Sequence, residues 1–429
     1  MTRSSRAVEW IKTGLIILLA LSTPLLAWRT GLFNNALTAI PFFGNVADLM
    51  RGASGTPEPG GTSLKEAARP LSIVITSGQG GRFGVKYDTD ARNSVYEMTS
   101  SIIGEALGSA STPSEISEDE WRSALSGPSV YFEYISPVRL SVLDGWLGSR
   151  MPDTVQDTML RRVFIAFGEE RSRLYYQDHD KGLFFGADTA SAAGKAQELE
   201  IYAANGAVFA FETGIWGYEN APYMLIMPGS DHPDVRAASV GSAEELLEKA
   251  LSAFGHENDT YTTYYDSAGV LRCVGTQFNF RVFSDGRVMY RRTDGSPSEE
   301  EAPVLWESDM IERARVIATD SIGATGGSAE VMFDAFQRDD RTFSVLFGYY
   351  IAGGRVYLPE DRHGAWVTFS SGMVSEIEVN FRNYSFTGEN TRLLPERQAL
   401  AAAGGEFFLC YSDTGAETVQ PSWVLAIDN

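Results

Sequence analysis

Phe283-Ser284-Asp285-Gly286-Arg287-Val288 returns, loosely, as Phe369-Ser370-Ser371-Gly372-Met373-Val374. Each stretch sets a glycine turn between alternating apolar and polar residues, the signature of a β-hairpin. A helical stretch follows each: Met310 to Ile317, with Glu312, Arg313 and Ala314, then Pro395 to Ala402, with Glu396, Arg397 and Ala399. A strand pair follows each helix, and Tyr349 precedes Pro359 by the interval at which Tyr411 precedes Pro421. An ordered series of matches points to a duplicated sheet-and-helix module. It predicts a C-terminal domain at 257–429, with repeats at about 270–360 and 361–429.

Upstream the patterning is mixed. Leu71 to Thr76 reads as a strand. Asp90 is placed to cap a helix in which Val95, Met98, Ile102, Ala106 and Leu107 share one face. Ser117 and Glu120 fit a capping box for a short helix ending near Leu125. Val130 to Ile135 reads as a strand and Leu140 to Leu147 as a short apolar segment. Together these predict an N-terminal α+β domain at 71–150. A β-rich α+β domain at 151–256 follows, with strand candidates at Arg162–Phe167, Arg173–Tyr176, Gly182–Phe185, Val208–Phe211 and Tyr223–Met227. It closes on a helix with Ser242 and Glu245 as capping box and Leu246, Leu247, Ala250, Leu251 and Phe254 on one face. The fold class is therefore α+β.

Residues 13–28 carry no charge. The run opens with Thr13, Gly14, Leu15, Ile16, Ile17, Leu18, Leu19, Ala20, Leu21 and Ser22, and Lys12 and Arg29 bracket it. A membrane-spanning helix needs about 20 apolar residues. Lys12 and Arg29 lengthen this one by snorkelling, and Trp10 and Trp28 suit the two interfaces. Arg3, Arg6 and Lys12 against Glu9 keep the N-terminus in the cytoplasm. The expectation is a cytoplasmic tail at 1–12, a single-pass anchor at 13–30, and a juxtamembrane segment and linker at 31–70. The linker reading rests on Gly52, Gly55, Pro57, Pro59, Gly60, Gly61 and Pro70. The rest of the chain would lie outside the cell membrane. A cleaved signal peptide is the rival reading; Ala27 suits a cut, whereas Leu25 and Trp28 do not. A core helix would leave the cationic flank and the two tryptophans unexplained. Thr13, Gly14 and Ser22 are small enough to let a partner helix approach closely, or are simply tolerated facing lipid.

Over 429 residues, 35 Lys and Arg stand against 56 Asp and Glu, a formal charge of −21. Such a balance argues against nucleic-acid binding, which needs a basic footprint. Removing the N-terminal segment leaves the remainder more acidic still, so anionic lipid heads repel it. A 44% hydrophobic and 21% charged composition belongs to a folded chain. Cys273 and Cys410 are too few for a disulfide scaffold or a cysteine-built zinc site, though they suffice for one bridge.

Chemical motifs are weak. Gly78, Gly80, Gly81 and Gly84 follow a strand, but Phe83 stands where a dinucleotide loop needs glycine. Asp88-Thr89-Asp90-Ala91-Arg92-Asn93 puts Arg92 and Asn93 where a calcium loop needs an oxygen ligand and glycine. Lys12-Thr13-Gly14 enters the apolar run and lacks a Ser-x-x-Lys partner. The histidine clusters Asp178-His179-Asp180 and Asp231-His232-Pro233-Asp234 fall where turns are expected. Glu299, Glu300 and Glu301 read as an acidic loop tip. No catalytic, cofactor-binding or metal-ligating residue is assigned.

The order of short motifs resembles a known family. Arg3, Arg6 and Lys12 precede one N-terminal helix and a linker, then come Arg69-Pro70-Leu71 and Glu120-Trp121-Arg122. Val130-Tyr131-Phe132-Glu133-Tyr134, Leu143-Asp144-Gly145-Trp146, the Phe283 hairpin and Pro421-Ser422-Trp423-Val424 complete the series. This is similar to YycH and YycI, membrane-anchored extracytoplasmic regulators of the WalK (YycG) sensor histidine kinase of Gram-positive bacteria. The resemblance implies a non-enzymatic chain without cofactors and a PepSY-like C-terminal part. It implies a sensor kinase as partner, beside a second family member, in signalling that controls cell-wall metabolism. An exported ligand-binding module without a kinase, and a wall-active hydrolase, are the alternatives.

Overall fold

Ile73 and Ile75 turn to one side of their strand and Val74 to the other, and all three are buried. A strand buried on both faces belongs in the middle of a covered sheet. In the computed structural model, which describes residues 64–168, 171–190, 195–293 and 306–426, it does. The strands are β1 (Ser72–Thr76), β2 (Arg82–Val85), β3 (Ser114–Ile116), β4 (Ser129–Arg139), β5 (Met159–Phe167), β6 (Ser172–Asp178) and β7 (Phe184–Thr189). They run β2-β1-β4-β5-β6-β7-β3, with every neighbour antiparallel. The boundary expected at 150 falls between β4 and β5, which are adjacent here.

Helix Thr89–Gly108 covers one face, burying Val95, Ile102, Ala106 and Leu107 with Ile73, Phe132 and Val163. Met98, expected on that face, is 46% exposed. Helix Glu118–Ser126 covers the other face, where Trp121 and Leu125 meet Val74, Tyr131 and Phe164. Asp88, not Asp90, caps the long helix. Its backbone is extended, and its Oδ1 accepts from the Ala91 amide at 2.9 Å. Gly78, Gly80 and Gly81 form the β1–β2 hairpin turn, and Gly84 lies within β2.

Further strands are β8 (Val208–Phe209), β9 (Leu225–Ile226), β10 (Asp231–Ala238), β11 (Tyr261–Tyr265), β12 (Leu271–Gly275), β13 (Phe278–Val282) and β14 (Arg287–Arg292). Then come β15 (Glu330–Arg338), β16 (Thr342–Ile351), β17 (Gly354–Tyr357), β18 (Ala365–Ser370) and β19 (Met373–Asn380). The last are β20 (Asn383–Arg392), β21 (Phe407–Ser412), β22 (Thr418–Val419) and β23 (Pro421–Leu425). An 11-stranded sheet runs β11-β12-β13-β14-β19-β18-β16-β17-β21-β23, with β15 paired to β16. Only its β17–β21 pair is parallel.

The two hairpins singled out in the sequence, β13–β14 and β18–β19, lie side by side through β14 and β19. Their turns differ. Ser371 and Gly372 both have positive φ, the requirement of a tight two-residue loop, whereas only Gly286 does so in the longer first turn. The predicted capping box of Ser242 and Glu245 forms, and helix Ala243–Ala253 packs on β13 and β14. Helix Glu307–Ser321 packs on β15, β16 and β18. Cys273 and Cys410 are buried free thiols. The architecture is mixed α+β.

Candidate functional site

A cavity of about 740 Å³ opens where β4 meets β15, beside helix Glu307–Ser321. Two β-bulges build it. Glu133 pairs with Arg162 and Val138 with Leu160, so residues 134–137 bulge out opposite Arg161. Pro137 lacks the N–H that a regular ladder needs there. The bulge presents Tyr134, Ile135 and Ser136 to the cavity. On β15, Phe333 pairs with Phe347 and Ala335 with Leu346, leaving Asp334 as the extra residue. Phe333 and Phe347 line the cavity with Trp146. Asp334 accepts hydrogen bonds from Tyr350 Oη at 2.5 Å and Arg355 Nη2 at 2.7 Å.

Most charged groups at the cavity wall are matched. Glu312 accepts from Arg315 at 2.7 and 2.8 Å and from Trp146 Nε1 at 3.1 Å. Glu330 accepts from Arg92, and Arg69 donates to Glu66 at 2.9 Å. Two side-chain atoms near the wall are not matched. The Tyr134 hydroxyl is buried, the residue being 5% exposed, and neither it nor Arg69 Nε has a partner among the described residues. Burial holds the Tyr134 hydroxyl protonated, well above its ordinary value. Asp320 lines the same wall, and burial lifts its carboxyl to about 6 although Arg315 pulls the other way.

A second polar cluster joins the sheets. Glu406, just before β21, accepts from Arg161 at 2.8 and 2.9 Å and from Arg162 at 2.9 Å. Arg162 also donates to Glu133 at 3.1 Å, and Glu133 is 3% exposed. Burial raises the Glu406 carboxyl, but Arg161 and Arg162 outweigh burial and hold it well below the usual glutamate range. Lys86 Nζ lies 3.5 Å from Glu396, which also accepts from the Tyr87 hydroxyl. This cluster is saturated with partners and has a structural character.

The fold is similar to that of YycH. The crystal structure of YycH from Bacillus subtilis matches with a TM-score of 0.55 at 14% identity, over 86% of this chain and 96% of that chain. No protein family and no curated relative matches the sequence. The likeness is therefore one of fold.

Thr13, Gly14 and Ser22, with the rest of the expected span, lie outside the described residues. Among the described residues no helix is long and apolar enough to cross a membrane. The histidine clusters do not converge. His179 is exposed, whereas His232 is buried edge-on against Tyr87 and Trp423, and burial with Lys86 lowers its imidazole to about 4. Among the described residues no group of three His, Cys, Asp or Glu is placed to hold a metal. The cavity was not anticipated from sequence, although Tyr134 and Trp146 fall in two of the short motifs that carry the family resemblance. The one available signal was Ser136-Pro137 inside an apolar strand, which argues for a bulge.

Proposed function

We propose that this chain is a non-enzymatic, membrane-anchored extracytoplasmic accessory protein that regulates a two-component sensor histidine kinase of the WalK (YycG) type. The supporting observation is the YycH-like fold, which extends over 86% of the chain. The motif order leads independently to the same family. In this reading residues 13–30 form the partner helix, and Thr13, Gly14 and Ser22 permit close packing against the kinase's own helices. A helix that packs better against one kinase state shifts the population toward that state by its differential affinity. The C-terminal part at 257–429 is read as a duplicated, PepSY-like sheet-and-helix module, with the two adjoining hairpins in support. A second family member would assemble alongside.

The experiment is co-purification from membranes with and without residues 1–30. The expected result is recovery of a histidine kinase with the full chain and its loss from the truncated one. Recovery of no kinase with the full chain removes the proposal. A second reading, an exported ligand-binding module without a kinase partner, is favoured by the cavity between β4 and β15. It predicts ligand binding with no kinase in the purified complex.

A further inference from the structure

Tyr261-Thr262-Thr263-Tyr264-Tyr265 forms β11, an edge of the 11-stranded sheet, and β12 is its one strand neighbour among the described residues. Every residue of β11 is exposed, Tyr261 at 39% and Tyr264 and Tyr265 at 53% each. A free strand edge is a template for another chain, and folded proteins guard it with charge, proline, a bulge or a cover. Other edges here are guarded. Asn205 closes β2, accepting from the Gly84 amide at 3.0 Å and donating to the Gly84 carbonyl at 2.7 Å. β15 carries Glu330, Arg338 and the bulge at Asp334, and β23 opens on Pro421. β11 has no charge, no proline and an unbroken register with β12. Its threonines and tyrosines all favour extended chain.

The backbone fixes what this edge offers. The Asp266 amide donates inward to the Val270 carbonyl at 3.0 Å, continuing the register in which Tyr265 faces Leu271. Backbone groups alternate in direction along a strand, so Tyr261, Thr263 and Tyr265 turn their N–H and C=O outward. We propose that β11 pairs antiparallel with β11 of a second copy, about a twofold axis at Thr263, joining two large sheets into one. Thr263 then faces Thr263 of the second copy and Tyr261 faces Tyr265, each opposed pair exchanging backbone hydrogen bonds. Any other antiparallel register leaves part of the strand unpaired. A twofold contact needs a self-complementary patch, and Tyr–Tyr and Thr–Thr are favourable cross-strand pairs. Charge permits the same register. With 56 Asp and Glu against 35 Lys and Arg, two copies repel over most of their surface. Along this edge Asp266 falls opposite Thr260 and Asp259 opposite Ser267, so no carboxylate meets another, and Asp266 is already paired with Arg272 at 2.6 Å. One short edge buries less than the about 800 Å² per partner of a standard interface, so the dimer is weak and exchanges. The inference does not depend on a kinase partner.

The test is disulfide cross-linking of the full chain, in membranes of the expressing cells and purified in detergent micelles. Cys273 and Cys410 are buried, so an added surface cysteine reports alone. Thr263→Cys meets its own counterpart at a Cα separation of about 5.5 Å, within the span of a disulfide. Tyr261→Cys is displaced from its own counterpart by roughly 14 Å along the strand. Mild oxidation is expected to give about tenfold more dimer for Thr263→Cys than for Tyr261→Cys. Mixing Tyr261→Cys with Tyr265→Cys produces the cross-link that neither gives alone. Thr263→Pro removes an outward amide and no bond to β12, and it weakens the dimer seen by sedimentation velocity about tenfold or more. Circular dichroism reports the fold of each variant, and the mixing experiment decides if the proline variant misfolds. Equal cross-linking of Thr263→Cys and Tyr261→Cys overturns the inference, as does none with either at about 100 µM protein. So does a dimer undiminished in folded Thr263→Pro. Thr263→Cys joined in membranes to a different polypeptide, and not to its own copy, overturns it too and assigns the edge to a foreign strand.

Discussion

Replacing Glu406 by Gln isolates what the buried cluster contributes. Glu406 faces both Arg161 and Arg162, and Glu133 is the other carboxylate within contact of that arginine pair. In the wild type two guanidinium groups face two carboxylates. In Glu406→Gln one positive charge remains uncompensated in a largely buried site. Removing one partner of a buried pair costs about 3–5 kcal/mol. The exposed pair Arg291–Glu376, whose side chains are 69% and 50% accessible, is the control; its Glu376→Gln variant costs about 0–1 kcal/mol. Urea denaturation near neutral pH, followed by tryptophan fluorescence, measures both. The pH dependence adds a second check. The Glu406 carboxyl is depressed in the folded state, so its contribution is complete above the ordinary glutamate value of 4.5. It is lost as pH falls through the folded value. The gap between wild type and Glu406→Gln therefore narrows on acidification. A Glu406→Gln cost no larger than that of Glu376→Gln, or a gap independent of pH, would refute the electrostatic account.

Asp320→Asn is expected to raise stability at pH 7.5 by roughly 1–2 kcal/mol, because a half-buried carboxyl lifted from 3.8 to about 6 resists ionisation. The sign is opposite to that of Glu406: wild-type stability is complete below pH 4 and falls as pH rises through 6, so thermal melts of the two proteins converge in acid. Gly348→Ala would place a Cβ 2.7 Å from Asp334 Oδ2, displacing the carboxylate held by Tyr350 and Arg355. A loss of about 1–3 kcal/mol in the same urea assay is expected. Ser242→Ala removes the hydroxyl that accepts from the Glu245 amide, at a cost of about 1 kcal/mol and with increased hydrogen exchange in the first turn of that helix.

Elements with strong local signals were legible. The apolar run around Val74 and the Ser242–Glu245 box correspond to a covered strand and a capped helix. Asp88 and Asp90 are two residues apart and equally able to cap, and only the backbone geometry at Asp88 distinguishes them. Met98 sits one turn below Ile102 yet lies outside the packed stripe, because the sheet covers only part of that helix face. The cavity was less legible. Tyr134 and Phe333 are ordinary strand residues by composition, and what aims them inward is a register shift against partners distant in sequence. The Arg161–Glu406 pairing is similarly long-range, since neither residue has a local pattern that names the other.

Because Arg161 and Arg162 hold the start of β21, a largely buried ionic rivet fastens the first sheet to the last strands of the chain. Parting the first sheet from those strands would strip charges of their partners, at a cost of several kcal/mol. The two sheets therefore respond to strain as one piece, although they are built from opposite ends of the described chain.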